Sequence, residues 1–252
     1  MNIKIFFYIP FLFLLFSSLS FSQVVNIEKK RTDNPKGGLQ GNIDFSFSAI
    51  DNGNSILIGK NTIKLQYFKK KHLFLFFNDI SMSQVNKNIF QNDGYQHLRY
   101  NLNRDSSRVI PEAFVQYQYN TIKKIERRYV GGIGPRIKII EKDTFRMYFG
   151  PLSMYEHEEL SNDSITDKFR LSCYLSFTWN FSKWFSLNNI TYYQPNYADF
   201  SDFRLASESN LMIRITNKLF LKSLFELTYD SKPPPGVKNM LFNFTNGVSW
   251  VF

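Results

Sequence analysis

The last thirteen residues, 240–252, constrain this chain more than any other stretch. Every second residue is Met240, Phe242, Phe244, Asn246, Val248, Trp250 and Phe252. The intervening set is Leu241, Asn243, Thr245, Gly247, Ser249 and Val251. One face is large and aromatic, the other small and mostly polar, which is the period of two that an extended strand imposes on its side chains. A greasy outer face backed by a small, wet inner one suits a transmembrane barrel, with lipid outside and a polar lumen within. A soluble strand lying on a core would show the same alternation, so the reading depends on the rest of the chain repeating it.

The pattern recurs. About twelve strand candidates follow residue 38, and no stretch carries convincing 3.6-residue periodicity. The first, 39–49, sets Leu39, Ile43, Phe45 and Phe47 against Gln40, Asn42, Asp44, Ser46 and Ser48. The eighth is the clearest: Phe169, Leu171, Cys173, Leu175, Phe177 and Trp179 alternate with Lys168, Arg170, Ser172, Tyr174, Ser176 and Thr178. A helix through Arg170 would carry apolar residues all round. The third candidate, 73–81, alternates poorly. With the amino terminus on the periplasmic side, connections after even strands (69–71, 103–107, 141–143, 181–184, 217–218) are expected to be short periplasmic turns. Most of those after odd strands (51–54, 84–93, 120–125, 157–166, 195–202, 231–239) read as longer outer loops, the asymmetry of outer-membrane barrels. Tyr67, Phe145, Trp179, Trp184, Phe220, Trp250 and Phe252 gather near the inner rim as an interfacial girdle.

The amino terminus reads as a signal peptide over 1–22. Lys4 supplies the positive region, 5–16 the apolar run, and Ser20-Phe21-Ser22 a small-x-small cleavage site, so export with cleavage near Ser22 is expected. The apolar run is shorter than the roughly 18 residues a membrane helix needs. Residues 23–38 read as a charged periplasmic leader, and 39–252 as the barrel domain. Aromatic content is 17%, with 27 Phe and 14 Tyr, and mean hydropathy is −0.28, as expected where strands dilute apolar residues with lumen-facing polar ones. Cys173 is the only cysteine, which excludes an intramolecular disulfide. The formal charge is +10 and becomes +9 once Lys4 leaves with the signal. That balance suits anionic groups, but export makes nucleic acid an unsuitable partner.

On this register the lumen receives a charge network: Arg128, Arg136, Arg146, Arg170, Arg204 and Arg214 with Glu156, Glu208 and Glu226, joined by Lys60, Lys64, Arg99, Lys138, Lys168, Lys222, Asp44 and Glu112. An arginine facing hydrocarbon costs about 2–4 kcal/mol near the midplane, so these positions belong inside. Charges in a narrow lumen must be paired or hydrated. Either an Arg–Glu network braces the barrel, or a mostly basic conduit passes small anions. Twelve strands fall between a lumen filled by side chains and an aqueous channel.

Two sequence blocks carry a resemblance. Arg127-Arg128-Tyr129-Val130-Gly131-Gly132-Ile133-Gly134-Pro135-Arg136 leads to Gly150 and Tyr155-Glu156. Later, Tyr193-Gln194-Pro195-Asn196 precedes Asp199-Phe200-Ser201-Asp202-Phe203-Arg204-Leu205 and then Pro233-Pro234-Pro235-Gly236-Val237. From about residue 37 onward this resembles the YdiY-like salt-induced outer-membrane protein family, a domain of unknown function (number four-eight-one). The resemblance implies an outer-membrane barrel, with Tyr193, Gln194, Pro195, Asp199, Asp202 and Arg204 as its motif, and brings no catalytic assignment. Where the family often places an acid after the Pro-Gly-Val turn, this chain has Lys238 and Asn239.

Enzymatic signals are weak. His72, His97 and His157 lack metal-like spacing. A lipid hydrolase needs a Ser or Thr beside a His at the rim; Ser153 and Tyr155 near His157 are the only sequence neighbours, and Ser153 lies on the lipid-facing register. Glu158-Glu159 and Asp163 read as a solvated acidic loop, with an outside cation as the sharper alternative. The sequence therefore predicts an all-β, closed antiparallel transmembrane β-barrel of about twelve strands in the bacterial outer membrane. Its expected role is non-enzymatic, structural or stress-associated, without a cofactor. Outer-membrane lipids, lipopolysaccharide and, through the carboxyl-terminal strand, the barrel-assembly machinery are the expected partners. The alternatives are a narrow anion-preferring channel and a secreted soluble β-barrel holding a small ligand.

Overall fold

A computed structural model describes residues 37–51, 53–103 and 107–250. The signal peptide, nearly all of the leader and Phe252 lie outside them. Twelve strands form one sheet in strict sequence order. They are β1 (Gly38–Asp51), β2 (Ser55–Lys69), β3 (His72–Val85), β4 (Asn88–Leu102), β5 (Val109–Asn120), β6 (Ile125–Glu141), β7 (Phe145–Leu160), β8 (Ile165–Ser182), β9 (Phe185–Asn196), β10 (Asp199–Arg214), β11 (Leu219–Asp230) and β12 (Met240–Trp250). Every neighbouring pair is antiparallel. Among the described residues β1 and β12 do not pair with each other, so the sheet is an ordered meander with two edges.

The sheet's two faces differ as the alternation requires. Phe169, Ile133 and Phe244 stand on the outward face, 64%, 69% and 59% exposed, while Arg170 and Glu156 on the inward face are 0% exposed. The poor alternation of β3 has a simple cause. Its inward Leu73, Leu75 and Phe77 form a small apolar cluster with Phe68 against them, so both faces are apolar where Phe74 and Phe76 point out. A larger apolar cluster (Phe114, Val130, Leu152, Met154, Ile190, Tyr192 and neighbours) fills the middle of the interior. There, the rings of Phe114 and Tyr174 lie against Gly132 and Gly150, the residues they face across the ladder.

Three loops and one girdle residue need correction. The long loop read over 84–93 is a two-residue hairpin: Val85 pairs with Asn88, and Asn86 and Lys87 both take positive φ, the conformation whose twist matches the flanking strands. The loop read over 195–202 is likewise a turn at 197–198, where the Ala198 amide donates to Asn196 Oδ1 (3.1 Å). The loop read over 157–166 shrinks to 161–164. With these changes only 231–239 remains long at that end, and the expected difference in loop length between the two ends is largely lost. Polar hairpins keep pairing in water beyond the point where alternation fades. Phe220 also leaves the girdle: it faces inward, with the Arg214 guanidinium 5.3 Å from its ring centre.

Candidate functional site

Two charged clusters brace the interior. The first centres on Glu156 of β7. Arg128 of β6 donates to its carboxylate through Nε (2.7 Å) and again through Nη2; Arg170 of β8 donates through Nε (3.0 Å), and Arg204 of β10 through Nη1 (2.8 Å). Arg204 also donates to Glu158 (2.9 and 3.1 Å) and to Asp230 of β11 (2.8 Å). Arg170 reaches the Asp202 carboxylate (3.0 Å) and the carbonyls of Gln194 and Asp202, and Lys168 Nζ lies 2.9 Å from the same carboxylate. Four cations (Arg128, Lys168, Arg170, Arg204) thus meet four acids (Glu156, Glu158, Asp202, Asp230). Taking such charges from water costs several kcal/mol each, an expense offset here by bidentate and multiple hydrogen bonds. Because Arg204 and Glu156 sit three strands apart, their contact requires the sheet to curl inward.

The second cluster lies beyond the apolar layer. Glu112 of β5, 1% exposed, accepts from Arg99 Nη1 (3.1 Å), Asn101 Nδ2 (2.8 Å) and the Tyr174 hydroxyl (2.7 Å). Arg136 donates to Tyr174 (3.3 Å) and lies 3.7 Å over the Tyr148 ring. Arg99 Nε points at His97 Nε2 (3.2 Å), and Tyr95 bonds Nδ1 (3.1 Å). A guanidinium only donates, so Nε2 is the acceptor in the bond from Arg99.

Of the predicted network, Arg128, Glu156, Arg170 and Arg204 come together, and Arg136 joins the second cluster. Arg146, Glu208, Arg214 and Glu226 keep the inward register but lie further along the strands; Glu208 faces Glu226 across the β10–β11 ladder. The motif residues divide by face. Gln194 and Asp202 are buried beside the half-buried Arg204, and Gln194 Nε2 donates to Ser172 (3.1 Å). Tyr193 faces outward against Phe203. Pro195 pairs with Phe203 beyond a register shift between Asp199 and Phe203, and this bulge aims Asp202 back over β8. Asp199 is exposed at the rim and pairs with Lys232.

Glu158 was misplaced by the sequence: β7 continues through it and turns it inward to Arg204, while Glu159 lies beside Arg127 (3.6 Å) and His157 (3.4 Å). The continued alternation after Glu156 was the available signal. Ser153 and His157 are not brought together. Ser153 Oγ bonds the Tyr197 hydroxyl (2.9 Å), and His157 Nδ1 lies 2.8 Å from Asp167. Cys173 is free and half-buried on the outward register.

Twelve antiparallel strands in sequence order, charged and filled on one face and aromatic on the other, define an all-β meander whose inner face carries two charged clusters around an apolar layer. A family model described as a protein of unknown function, DUF481, matches residues 60–250. The chain belongs to that family, and the match spans both the 193–205 block and the 231–239 loop. No curated protein matches it. Among solved structures, a NanC porin in a rhombohedral crystal form is similar at 9% identity and a TM-score of 0.48, over 77% of this chain and 94% of the other.

Proposed function

We propose that this protein is an outer-membrane β-barrel, closed by pairing β1 with β12, whose role is structural or stress-associated and non-enzymatic. The observation that carries the reading is the split between faces: large aromatics lie bare on the outward register while arginines and glutamates are sealed on the inward one. So extensive an apolar surface is unsuited to water, which disfavours a secreted soluble binder. Closure would remove the two edges, which are otherwise templates for aggregation. The outward strand faces would meet lipid and lipopolysaccharide, and the barrel-assembly machinery would engage β12. Fractionation tests this: the native protein is expected to stay with alkaline-washed outer membranes and to run differently on gels before and after boiling. Release by alkali without a heat-dependent band would refute it.

The filled interior from β4 to β10 favours bracing over a central conduit. A narrow channel keeps one support: much of the inward face of β1, β2, β11 and β12 is open, and Lys64 and Lys222 lie there. Planar-bilayer recordings across a salt gradient test it, with an anion-selective reversal potential expected if ions pass.

A further inference from the structure

At the end of the sheet where the 121–124 turn meets the 231–239 loop, a cleft of about 70 Å³ opens from solvent onto the first charge cluster. The two loops are latched, Lys124 Nζ donating to the Pro235 carbonyl at 2.6 Å, and Gly236 takes the positive φ (81°) that turns the longer loop over the cleft. One wall is apolar, with Ile125, Pro234, Val237 and Leu241; the floor is Arg128, Glu158, Arg204 and Asp230. Every charge of that floor is already engaged in the balanced four-by-four network.

Outside that network stand the exposed Lys238 and the less exposed Lys123. Lys123 lines the cleft, half-buried, and among the described residues no carboxylate comes within ion-pair distance of its amine. Burial, together with the neighbouring positive charges of Arg128 and Arg204, pulls its ammonium down to about 8, only partly countered by Asp230 and Asp93. A buried, uncompensated charge is costly to the fold unless something arrives to balance it.

We propose that this cleft binds a small monocarboxylate, its charge facing Lys123 and its short apolar chain lying on Ile125, Pro234, Val237 and Leu241. Lys123 is the one surplus cation held below the surface, which suits a monoanion. A dianion such as phosphate would bring a second negative charge toward Glu158 and Asp230, and Lys238, which also lines the cleft, is exposed to solvent and offsets it only weakly. The inference goes beyond the barrel reading and stands without pairing of β1 and β12.

The test uses the refolded full-length protein with lysines ¹³C-dimethylated, a label that keeps their charge, and follows each amine by NMR against pH. Butyrate and inorganic phosphate are the probes. Butyrate is expected to raise the Lys123 titration from about 8 toward the ordinary lysine value while other lysines stay put, and phosphate is expected to do so less. In calorimetry on unlabelled protein, Lys123→Met is expected to weaken butyrate at least tenfold, with Lys183→Ala, in the turn at the opposite end, unchanged. No response at Lys123, a shift shared by all lysines, a stronger response to phosphate, or unchanged binding in Lys123→Met would each overturn the proposal. A heat-dependent gel band from the same sample reports separately on the barrel.

Discussion

The arc from β4 to β10 and the two wings, β1–β2 and β11–β12, obey the same alternation yet end in different states. In the arc, Arg170, Glu156 and Glu112 are sealed from solvent; in the wings, Asp44 and Lys60 on the same inward register remain open. The difference lies in what stands opposite. Arg204 reaches Glu156 and Tyr174 reaches Glu112 because the sheet curls until strands three apart touch. Among the described residues the wings lack a facing wall except at the end where the 231–239 loop meets the 121–124 turn and Asp230 bonds Arg204. Alternation therefore fixes which way a charge points, and curvature decides whether it is buried and paired.

That contrast can be broken by substitution, with stability read from denaturant unfolding of the refolded protein. Glu156→Gln should have the largest effect, about 3–5 kcal/mol, because three guanidinium groups lose their common negative charge in a dry site and one accepting oxygen becomes an NH2 donor. Gly150→Ala should cost about 1–3 kcal/mol, since the added methyl meets the Tyr174 ring and pushes its hydroxyl off Glu112. Lys123→Met should gain about 1 kcal/mol at pH 7, discounted for partial solvent screening. The sign follows from protonation: with a folded value near 8 against 10.5 unfolded, the unfolded chain binds more protons between those limits. Wild-type stability thus rises with pH from 8 to 10.5, and the advantage of Lys123→Met should fade across that window. Lys64→Gln or Lys222→Gln in the wings should stay within about 0.5 kcal/mol. A wing substitution as costly as Glu156→Gln would erase the distinction between the two regions.

Much of this was legible in the sequence wherever one residue reports on one face. The eighth strand reads correctly, residue by residue, from Lys168 to Trp179 because its outward side is apolar and its inward side polar. The third does not, because Leu73, Leu75 and Phe77 meet an apolar patch inside the fold. The hairpin at Asn86-Lys87 was hidden by the polar residues around it, which resemble a loop although they pair. The inward placement of Arg128, Arg170 and Arg204 followed from parity, but their shared partner did not. Arg204 and Glu156 are 48 residues apart, and nothing local encodes the curl that joins them. Lys123 carried no sequence signal, since its environment is made by loops from opposite parts of the chain.

The central claim is that the aromatic face of each strand meets lipid and the charged face is enclosed. It is tested most directly by a nitroxide scan in bilayers, replacing each residue from 168 to 179 in turn by cysteine on a Cys173→Ser background. Collision with dissolved oxygen, which concentrates in hydrocarbon, should alternate with a period of two and peak at Phe169, Leu171, Leu175 and Phe177. The opposite phase, with peaks at Arg170, Ser172, Tyr174 and Ser176, would contradict it.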